Sequence, residues 1–299
     1  MELSGERPQF VRDLLFALRP IRGGILALIR RLQSLQDPLL NCYRDLRWRS
    51  KSRSDRDTFI VESRLCVQRL LESTIQVNSI LMPEGTEAEA LTWGNAGIPI
   101  FTLSPDQISE LVGYQFHRGV LASAVRPTLR KLDDLDWSRM IRPIVLAAFG
   151  VTENENLGSM LRTAAALGVQ DILLDKQSAD PYSRRTVRVS MANVFKQRLY
   201  FLERPAEELV KLRQQRDVRL AVTTLAKDTV NLSNWQADQR PLVLVMGNEA
   251  AGVSTQIEAI ASDKLMIPME LGTDSLNVAV ATGICLHYLV QSCPKIDRS

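Results

Sequence analysis

Short apolar runs alternate with segments of helical periodicity throughout the second half of the chain. Ile144–Phe149, Asp171–Leu174 and Leu242–Met246 are largely apolar runs of strand length, and Leu157–Leu167 has the spacing of a helix. Apolar strands joined by helices are typical of a parallel sheet covered on both faces. We therefore predict a parallel-sheet α/β domain over residues 143–299. Its other predicted elements are Ala206–Gln215, Arg219–Leu225, Ser254–Ala261, Lys264–Ile267 and Asn277–Val290.

The first half carries a less regular form of the same pattern. Short strands, beginning with Thr58–Val61, alternate with short helices, and this predicts a small αβ domain over residues 51–126. The stretch 127–142, which contains three aspartates, is the predicted linker. Apolar residues recur at every third or fourth position from Phe10 to about Trp48, so residues 1–50 are predicted to form a helical basic extension.

Composition narrows the class of protein. The chain has 299 residues, a formal net charge of +3, and 45% hydrophobic residues, which is ordinary for a globular fold. No apolar run approaches the roughly 20 residues of a membrane helix, and the first residues, which include Glu2 and Glu6, lack the residue order expected of a signal peptide. Four cysteines without CxxC spacing and two histidines argue against a metal site. We expect a cytoplasmic protein in which Cys285 and His287, within the last helix, serve packing.

Basic residues cluster in two segments although the net charge is small. Arg44–Arg56 holds six basic and two acidic residues, and Arg184–Arg198 holds five basic and no acidic residues. Clustered arginines are typical of surfaces that bind a phosphate backbone, although a solvated helix face or loop has the same composition. The candidate RNA-binding residues are Arg44, Arg47, Arg49, Lys51, Arg53, Arg184, Arg185 and Arg188.

The first of three strand-to-helix junctions contains Asn156, Gly158 and Arg162. Asn154 or Asn156 can cap the helix, and Gly158 lets another backbone approach closely. Arg162 lies six residues after Asn156, so its long side chain is expected to reach back toward the loop. A capped helix that carries a surface arginine would show the same spacing.

The other two junctions are also rich in polar and small residues. In Gly247–Gly252, two glycines bracket Glu249, and in the last junction Ser275 and Asn277 stand at the start of the final helix. Taken singly, each is an ordinary strand-to-helix turn.

In this order, the patterns NxGxxxR, GNExxG and IPM…SLNVAVA are similar to the three signature motifs of the SpoU family of RNA ribose 2′-O-methyltransferases. The similarity covers roughly Pro143–Ser292, about half of the chain. The preceding domain resembles, through His117–Ala122, the ribosomal-protein-like RNA-binding domain of many members. Ala250 and Ala251 depart from the family pattern, in which a glycine often follows the glutamate.

The resemblance implies a trefoil knot in the C-terminal domain, S-adenosyl-L-methionine as the cofactor, RNA as the substrate and a homodimer formed through the knotted domain. It assigns the polar active-site positions to Arg162, Asn156, Glu249, Ser275 and Asn277. It assigns the cofactor contacts to Gly247, Ile267, Leu276, Leu225 and Met269.

Methyl transfer from a sulfonium needs no metal, but it needs a ribose 2′-hydroxyl in line with the methyl group. A guanidinium is a poor base because its pKa is above about 12, so Arg162 is expected to orient the ribose or phosphate and to stabilise alkoxide character. Asn156 and Ser275 are expected to hold Arg162 and the ribose. Glu249 either pairs with Arg162 or holds the cofactor loop.

Ribosomal RNA is the expected substrate, because the accessory domain resembles those of ribosomal-RNA members, and transfer RNA is the alternative. A non-catalytic RNA-binding protein of this fold is a rival that the intact polar positions argue against. An unrelated nucleotide-binding enzyme would need a GxGxxG motif or a P-loop at the first strand-to-helix turn, and the sequence has neither there.

Overall fold

The chain divides into two compact units, Met1–Val125 and Arg126–Ser299, each with one β-sheet. The computed structural model describes residues 17–20, 26–47, 57–93, 97–116, 119–226, 228–272 and 275–293. Within these residues, no helix combines the length and the apolarity that crossing a membrane requires.

The first unit has a mixed sheet. Its strands are β1 (Ala17–Pro20), β2 (Leu26–Arg31), β3 (Thr58–Glu62), β4 (Val77–Pro83), β5 (Pro99–Leu103) and β6 (Leu121–Val125), in the order β1-β2-β5-β4-β6-β3. Its helices are α1 (Arg64–Leu71), α2 (Glu87–Ala90) and α3 (Pro105–Val112). The strands β2, β5 and β4 are parallel neighbours, and the other pairings are antiparallel.

Local sequence sets the ends of α3. Ser104 and Gln107 form a reciprocal capping box, which satisfies two backbone N–H groups at the first turn. Gly113 ends the helix in the left-handed conformation, with φ of 78°, which costs glycine little. Ile108 and Leu111 are buried and fix the helix to the core.

The prediction of a helix from Phe10 to about Trp48 is wrong for the part of this segment that the structure describes. β1 and β2 form an antiparallel pair, and β2 then pairs with β5 in parallel. Pro38–Tyr43 forms only a short 3₁₀ helix, which the buried Tyr43 anchors by donating to the carbonyl of Ser79 at 2.9 Å. A short apolar run fits a buried strand as well as a helix, and pairing with β5 decides between them.

The second unit has a sheet whose pairings are all parallel, and this confirms the predicted α/β fold. Its strands are β7 (Ile144–Ala148), β8 (Asp171–Asp175), β9 (Arg198–Leu202), β10 (Arg219–Thr223), β11 (Val230–Asn231), β12 (Leu242–Met246) and β13 (Asp263–Met266), in the order β11-β13-β10-β12-β7-β8-β9. Its helices are α4 (Asn154–Ala166), α5 (Arg184–Val189), α6 (Pro205–Gln215), α7 (Thr255–Ala259) and α8 (Val278–Ser292). The sequence pattern did not predict β9 or α5.

The central strands of this sheet lie wholly within the core. Every residue of β7 and β12 is buried, as continuous apolar strands require when both faces are covered. On α4, Leu157, Met160 and Leu161 are buried. Each such side chain contributes roughly 1.5–3 kcal/mol when fully removed from water.

The stretch predicted as a linker, 127–142, packs on the second unit. Leu132, Leu135 and Trp137 are buried in the same apolar cluster as Leu212 of α6. The backbone N–H of Arg130 donates to the carbonyl of Leu199 in β9 at 2.9 Å. The apolar residues next to the aspartates therefore attach this stretch to the second unit.

α4 and α5 pack at close range because Gly158 has no side chain. A Cβ atom at this position would lie 2.8 Å from Cβ of Val189 and 3.0 Å from the carbonyl oxygen of Thr186. α8 packs against α4 as well. The helix that carries Asn156 and Arg162 therefore has neighbours on two sides.

Candidate active site

The first two junctions meet because β7 and β12 are adjacent. The two strands pair in parallel with Ala148 opposite Met246, so both carboxyl ends lie at one edge of the sheet. The loop from β7 leads into α4, and the loop from β12 is Gly247–Gly252. Nδ2 of Asn248 joins the two loops by donating to the carbonyl of Gly150 at 2.8 Å.

A chain of side-chain hydrogen bonds connects all three junctions. Nδ2 of Asn156 donates to Oε1 of Glu249 at 2.7 Å, and Nδ2 of Asn277 donates to Oδ1 of Asn156 at 2.8 Å. Oδ1 of Asn277 also caps α8 by accepting from the backbone N–H of Ala279 at 2.9 Å. Glu249 thus pairs with Asn156, not with Arg162.

The Gly247–Gly252 loop is closed tightly on itself. The backbone N–H of Asn248 donates to the carbonyl of Gly252, and that of Gly252 donates back, both at 2.9 Å. Oδ1 of Asn248 accepts from the N–H groups of Ala250 and Ala251, each at 2.9 Å. Ala250 and Ala251 therefore contribute backbone N–H groups to the loop. The structure accommodates both alanines although they depart from the family pattern.

An open cavity of about 490 Å³ lies where the loops after β10, β12 and β13 converge. All five residues proposed as cofactor contacts line it, namely Leu225, Gly247, Ile267, Met269 and Leu276. Glu249 and Ser275 line it too, so the cavity reaches the polar network.

The cavity also has lining residues that sequence analysis missed. Thr223 ends β10 and Thr224 follows it, Met266 ends β13, and Met246 ends β12. The available signal was their position at the carboxyl ends of parallel strands, where ligands bind in open α/β sheets.

Arg162 lies apart from the hydrogen-bonded network. Its side chain is exposed and forms no hydrogen bond or ion pair with the residues that the structure describes. Six residues along an α-helix bring a side chain to a position about 120° around the axis and about 9 Å from the starting residue. Arg162 and Asn156 therefore project from different faces of α4. Ser275 is exposed beside Asn277.

The candidate RNA-binding residues have varied environments. On α5, Arg188 is exposed, Arg184 is half-buried, and Arg185 forms an ion pair with Glu155 at 2.7 Å. In the first unit, Nη2 of Arg44 donates to the carbonyl of Leu35 at 2.5 Å, and Arg47 is exposed. Arg49, Lys51 and Arg53 lie outside the described residues, and so does His117.

The cysteine and histidine of α8 differ in exposure. Cys285 is buried, and burial raises the pKa of its thiol to about 12, so it is not a thiolate nucleophile at neutral pH. His287 is exposed. In the part of the chain that the structure describes, no cluster of three or more His, Cys, Asp or Glu residues could hold a metal ion.

Comparison with known proteins identifies the family. The model of the SpoU rRNA methylase family matches residues 143–287. An uncharacterized tRNA/rRNA methyltransferase of Mycobacterium tuberculosis is 32% identical over 267 residues, which cover 86% of this chain and 90% of that protein. The chain belongs to the SpoU rRNA methylase family. It is therefore an RNA methyltransferase of the SpoU family.

Two further proteins that are similar to this chain have more specific descriptions. A Bacillus subtilis protein described as a 23S rRNA guanosine 2′-O-methyltransferase is 27% identical over 239 residues, covering 80% of this chain and 91% of that one. The structure of an AdoMet-bound rRNA methyltransferase from Sinorhizobium meliloti superposes with a TM-score of 0.76 at 25% identity. It covers 88% of this chain and 98% of that chain.

The cavity of this SpoU protein fits S-adenosyl-L-methionine. Leu225 and Leu276 line the cavity and are 59% and 37% exposed, so their apolar side chains are available to a base or a thioether. A Cβ atom at Gly247 would lie 2.2 Å from the carbonyl carbon of Gly252, so only glycine leaves the loop backbone in place beside the cavity.

We expect Gly247→Ala to weaken binding of S-adenosyl-L-methionine at least about 10-fold, since the loop must move to admit the new methyl group. Isothermal titration calorimetry measures the affinity. Gly119→Ala is the control, because its Cβ would meet only the ring of Phe116. Equal affinities of Gly247→Ala and wild type would show that the loop backbone does not shape the cofactor site.

Proposed function

We propose that this enzyme transfers a methyl group from S-adenosyl-L-methionine to a ribose 2′-hydroxyl of ribosomal RNA in the cytoplasm. The observation that carries the proposal is the Asn156–Glu249–Asn277 network beside a cavity that fits the cofactor. The 2′-O-methyltransferase relative from Bacillus subtilis supports ribosomal RNA as the substrate. The name of the mycobacterial relative also includes transfer RNA, which is the second candidate.

We assign Arg162 to the substrate. The bound cofactor supplies an electrophilic methyl group, and the ribose hydroxyl must lie in line with it. Arg162 is exposed and keeps its N–H donors available, so it orients the ribose or an adjacent phosphate. It also stabilises the negative charge that develops on the 2′-oxygen as the hydroxyl proton passes to solvent at this open site. Ser275 lines the cavity and is exposed, so its hydroxyl donates to the ribose.

The three members of the network hold the loops at the reacting edge. Asn156 joins Glu249 of one loop to Asn277 of the other, so Glu249 fixes the cofactor loop in place. Gly247 and Ile267 present backbone groups to the cofactor, and Leu225, Met269 and Leu276 present apolar surface to it.

We propose that the C-terminal part of the second unit forms a trefoil knot. The strand order supports this, because β12 inserts between β7 and β10, and β13 inserts between β10 and β11. A chain that re-enters between earlier strands and then packs its last helix on α4 follows the path that a knot requires.

We assign RNA binding to the basic residues of α5 and to the first unit. Arg188 is the stronger candidate on α5, because its side chain is exposed, whereas the guanidinium of Arg185 pairs with Glu155. The basic segment 44–56 supports the same role for the first unit.

The second unit also has a surface suited to a second copy of the chain. On α8, Val280 is 53% exposed and Ile284 is 40% exposed, and both lie beside the small residues Ala279 and Gly283. Small residues let helices approach closely, and exposed apolar side chains mark association sites. We propose that this face forms a homodimer.

We expect wild-type protein to transfer labelled methyl groups from S-adenosyl-L-methionine to total RNA from a strain lacking the gene. Arg162→Ala should lower this rate at least about 100-fold, the typical cost of removing one donor to developing charge. Affinity for the cofactor should stay within about 2-fold, because Arg162 does not line the cavity. Arg216→Ala, an exposed arginine after α6, is the control.

Nucleoside digestion of the labelled RNA separates the alternatives. A 2′-O-methylated nucleoside from ribosomal RNA supports the proposal, and the same product from transfer RNA would change the substrate. Label on a base would overturn the ribose assignment. Equal loss of methyl transfer and cofactor affinity in Arg162→Ala would overturn the assigned role of Arg162.

We expect the double substitution Arg184→Gln with Arg188→Gln to reduce the dependence of RNA affinity on salt. Each lost phosphate contact lowers the slope of log K against log salt by about 0.7–0.9. Fluorescence anisotropy at several salt concentrations measures this slope. Arg213→Gln with Arg216→Gln removes the same charge at the C-terminal end of α6, and a slope that falls equally in both variants would show α5 to be an ordinary solvated surface.

We expect Ile284→Lys to shift the protein from dimer to monomer in sedimentation experiments, because a buried ammonium without a partner opposes association. Ile141→Lys is the matched control, since Ile141 is 56% exposed in the second unit but is far from α8 in sequence. A dimer that persists in Ile284→Lys would place the interface elsewhere.

A further inference from the structure

The side chain of Asn154 ties the first turns of α4 and α5 together. Its Oδ1 accepts hydrogen bonds from Oγ of Ser183 at 2.7 Å and from Oγ1 of Thr186 at 3.0 Å. Ser183 is itself the cap of α5, because its Oγ accepts from the backbone N–H of Thr186 at 3.1 Å. One carboxamide oxygen in the first turn of α4 therefore accepts hydrogen bonds from two hydroxyls at the N-terminal end of α5.

This arrangement does not serve the capping of α4. Glu153 precedes α4 as its cap residue and makes no side-chain capping bond. Thr186 is fully buried, so its hydroxyl requires a partner within the protein, and Asn154 supplies the acceptor. The carboxamide oxygen of Asn154 thus connects the two helices instead of capping its own helix.

The two helices carry different parts of the proposed reaction. Asn156, two residues after Asn154, links the loops at the reacting edge. Arg184 begins α5 directly after Ser183, and Arg188 follows one turn later. Farther along, Gly158 lets α4 approach Val189, so the helices are held at both ends of α5.

We propose that Asn154 is a positioning residue for methyl transfer. It holds α5 in a fixed place against the first turn of α4, so that RNA bound by Arg184 and Arg188 presents its ribose to Asn156 and Arg162. Asn154 acts through these residues and does not touch the substrate. The inference rests on the proposed function, since it needs α5 to contact RNA.

Asn154→Ala tests the proposal in the full-length protein. We expect kcat/KM for ribosomal RNA to fall at least about 10-fold, because a small misplacement of a bound substrate is costly in rate. Affinity for S-adenosyl-L-methionine should stay within about 2-fold of wild type. Asn154→Asp should recover most of kcat, since a carboxylate offers acceptor oxygens to both hydroxyls.

Thr186→Val provides a second route, because it removes only the hydroxyl partner and keeps the shape of the side chain. If the hydrogen bond between Thr186 and Asn154 carries the effect, the two substitutions will not act independently. The fold-loss of kcat/KM in the double variant Asn154→Ala with Thr186→Val will then be smaller than the product of the fold-losses in the two single variants. Asn231→Ala is the matched control, since Asn231 also accepts two hydrogen bonds, both from Ser233 near β11. It should retain wild-type kinetics.

The outcomes separate this inference from the function itself. Wild-type protein that methylates no RNA overturns the proposed function and the inference with it. Active wild type with an equally active Asn154→Ala overturns the inference alone. An Asn154→Asp variant that is as defective as Asn154→Ala would also overturn the inference. The same holds if Asn154→Ala loses cofactor affinity as much as it loses kcat/KM, since either result would reveal a general structural role. Should Asn154→Ala fail to fold, a Thr186→Val variant with wild-type kinetics would overturn it.

Discussion

The parallel pairing of β7 with β12 is the constraint on which the site depends. It brings together a loop near residue 150 and a loop near residue 247, which are far apart along the chain, at one edge of the sheet. Only with both loops at that edge does Asn156 reach Glu249, at 2.7 Å. Asn277 joins the same chain of hydrogen bonds from the start of α8, so the network also depends on where the last helix packs.

α4 links the separate parts of the catalytic unit. Its first turn contributes Asn154 to α5 and Asn156 to the loops, and Gly158 then admits α5 at close range. On another side, Thr163 lies against α8, where Cγ2 would be 3.6 Å from a Cβ at Gly283. One helix thus fixes the positions of the loops, the basic helix and the closing helix, which explains why the family motif along α4 mixes polar and small residues.

The site separates two tasks that require different surroundings. The cavity offers apolar side chains and loop backbone to the cofactor, which needs shape more than charge. The face of α4 that carries Arg162 is exposed and has available N–H donors, as recognition of a ribose and phosphate requires. Glu249 and Ser275 belong to the boundary between the two, since both line the cavity and lie near the polar network.

The sequence by itself determined the parallel-sheet class of the second unit, because strand periodicity acts over a few neighbouring residues. Through its resemblance to the SpoU motifs it also pointed to the five residues that line the cavity. Tertiary structure decided the rest. β2 has a spacing that fits a helix and becomes a strand only because β5 is available to pair with it. Glu249 had two candidate roles, and its pairing with Asn156 depends on which strands are neighbours. The sequence left Asn154 as a possible cap, and its role depends on Ser183, which is distant along the chain. Long-range pairing leaves no local periodicity from which it can be predicted.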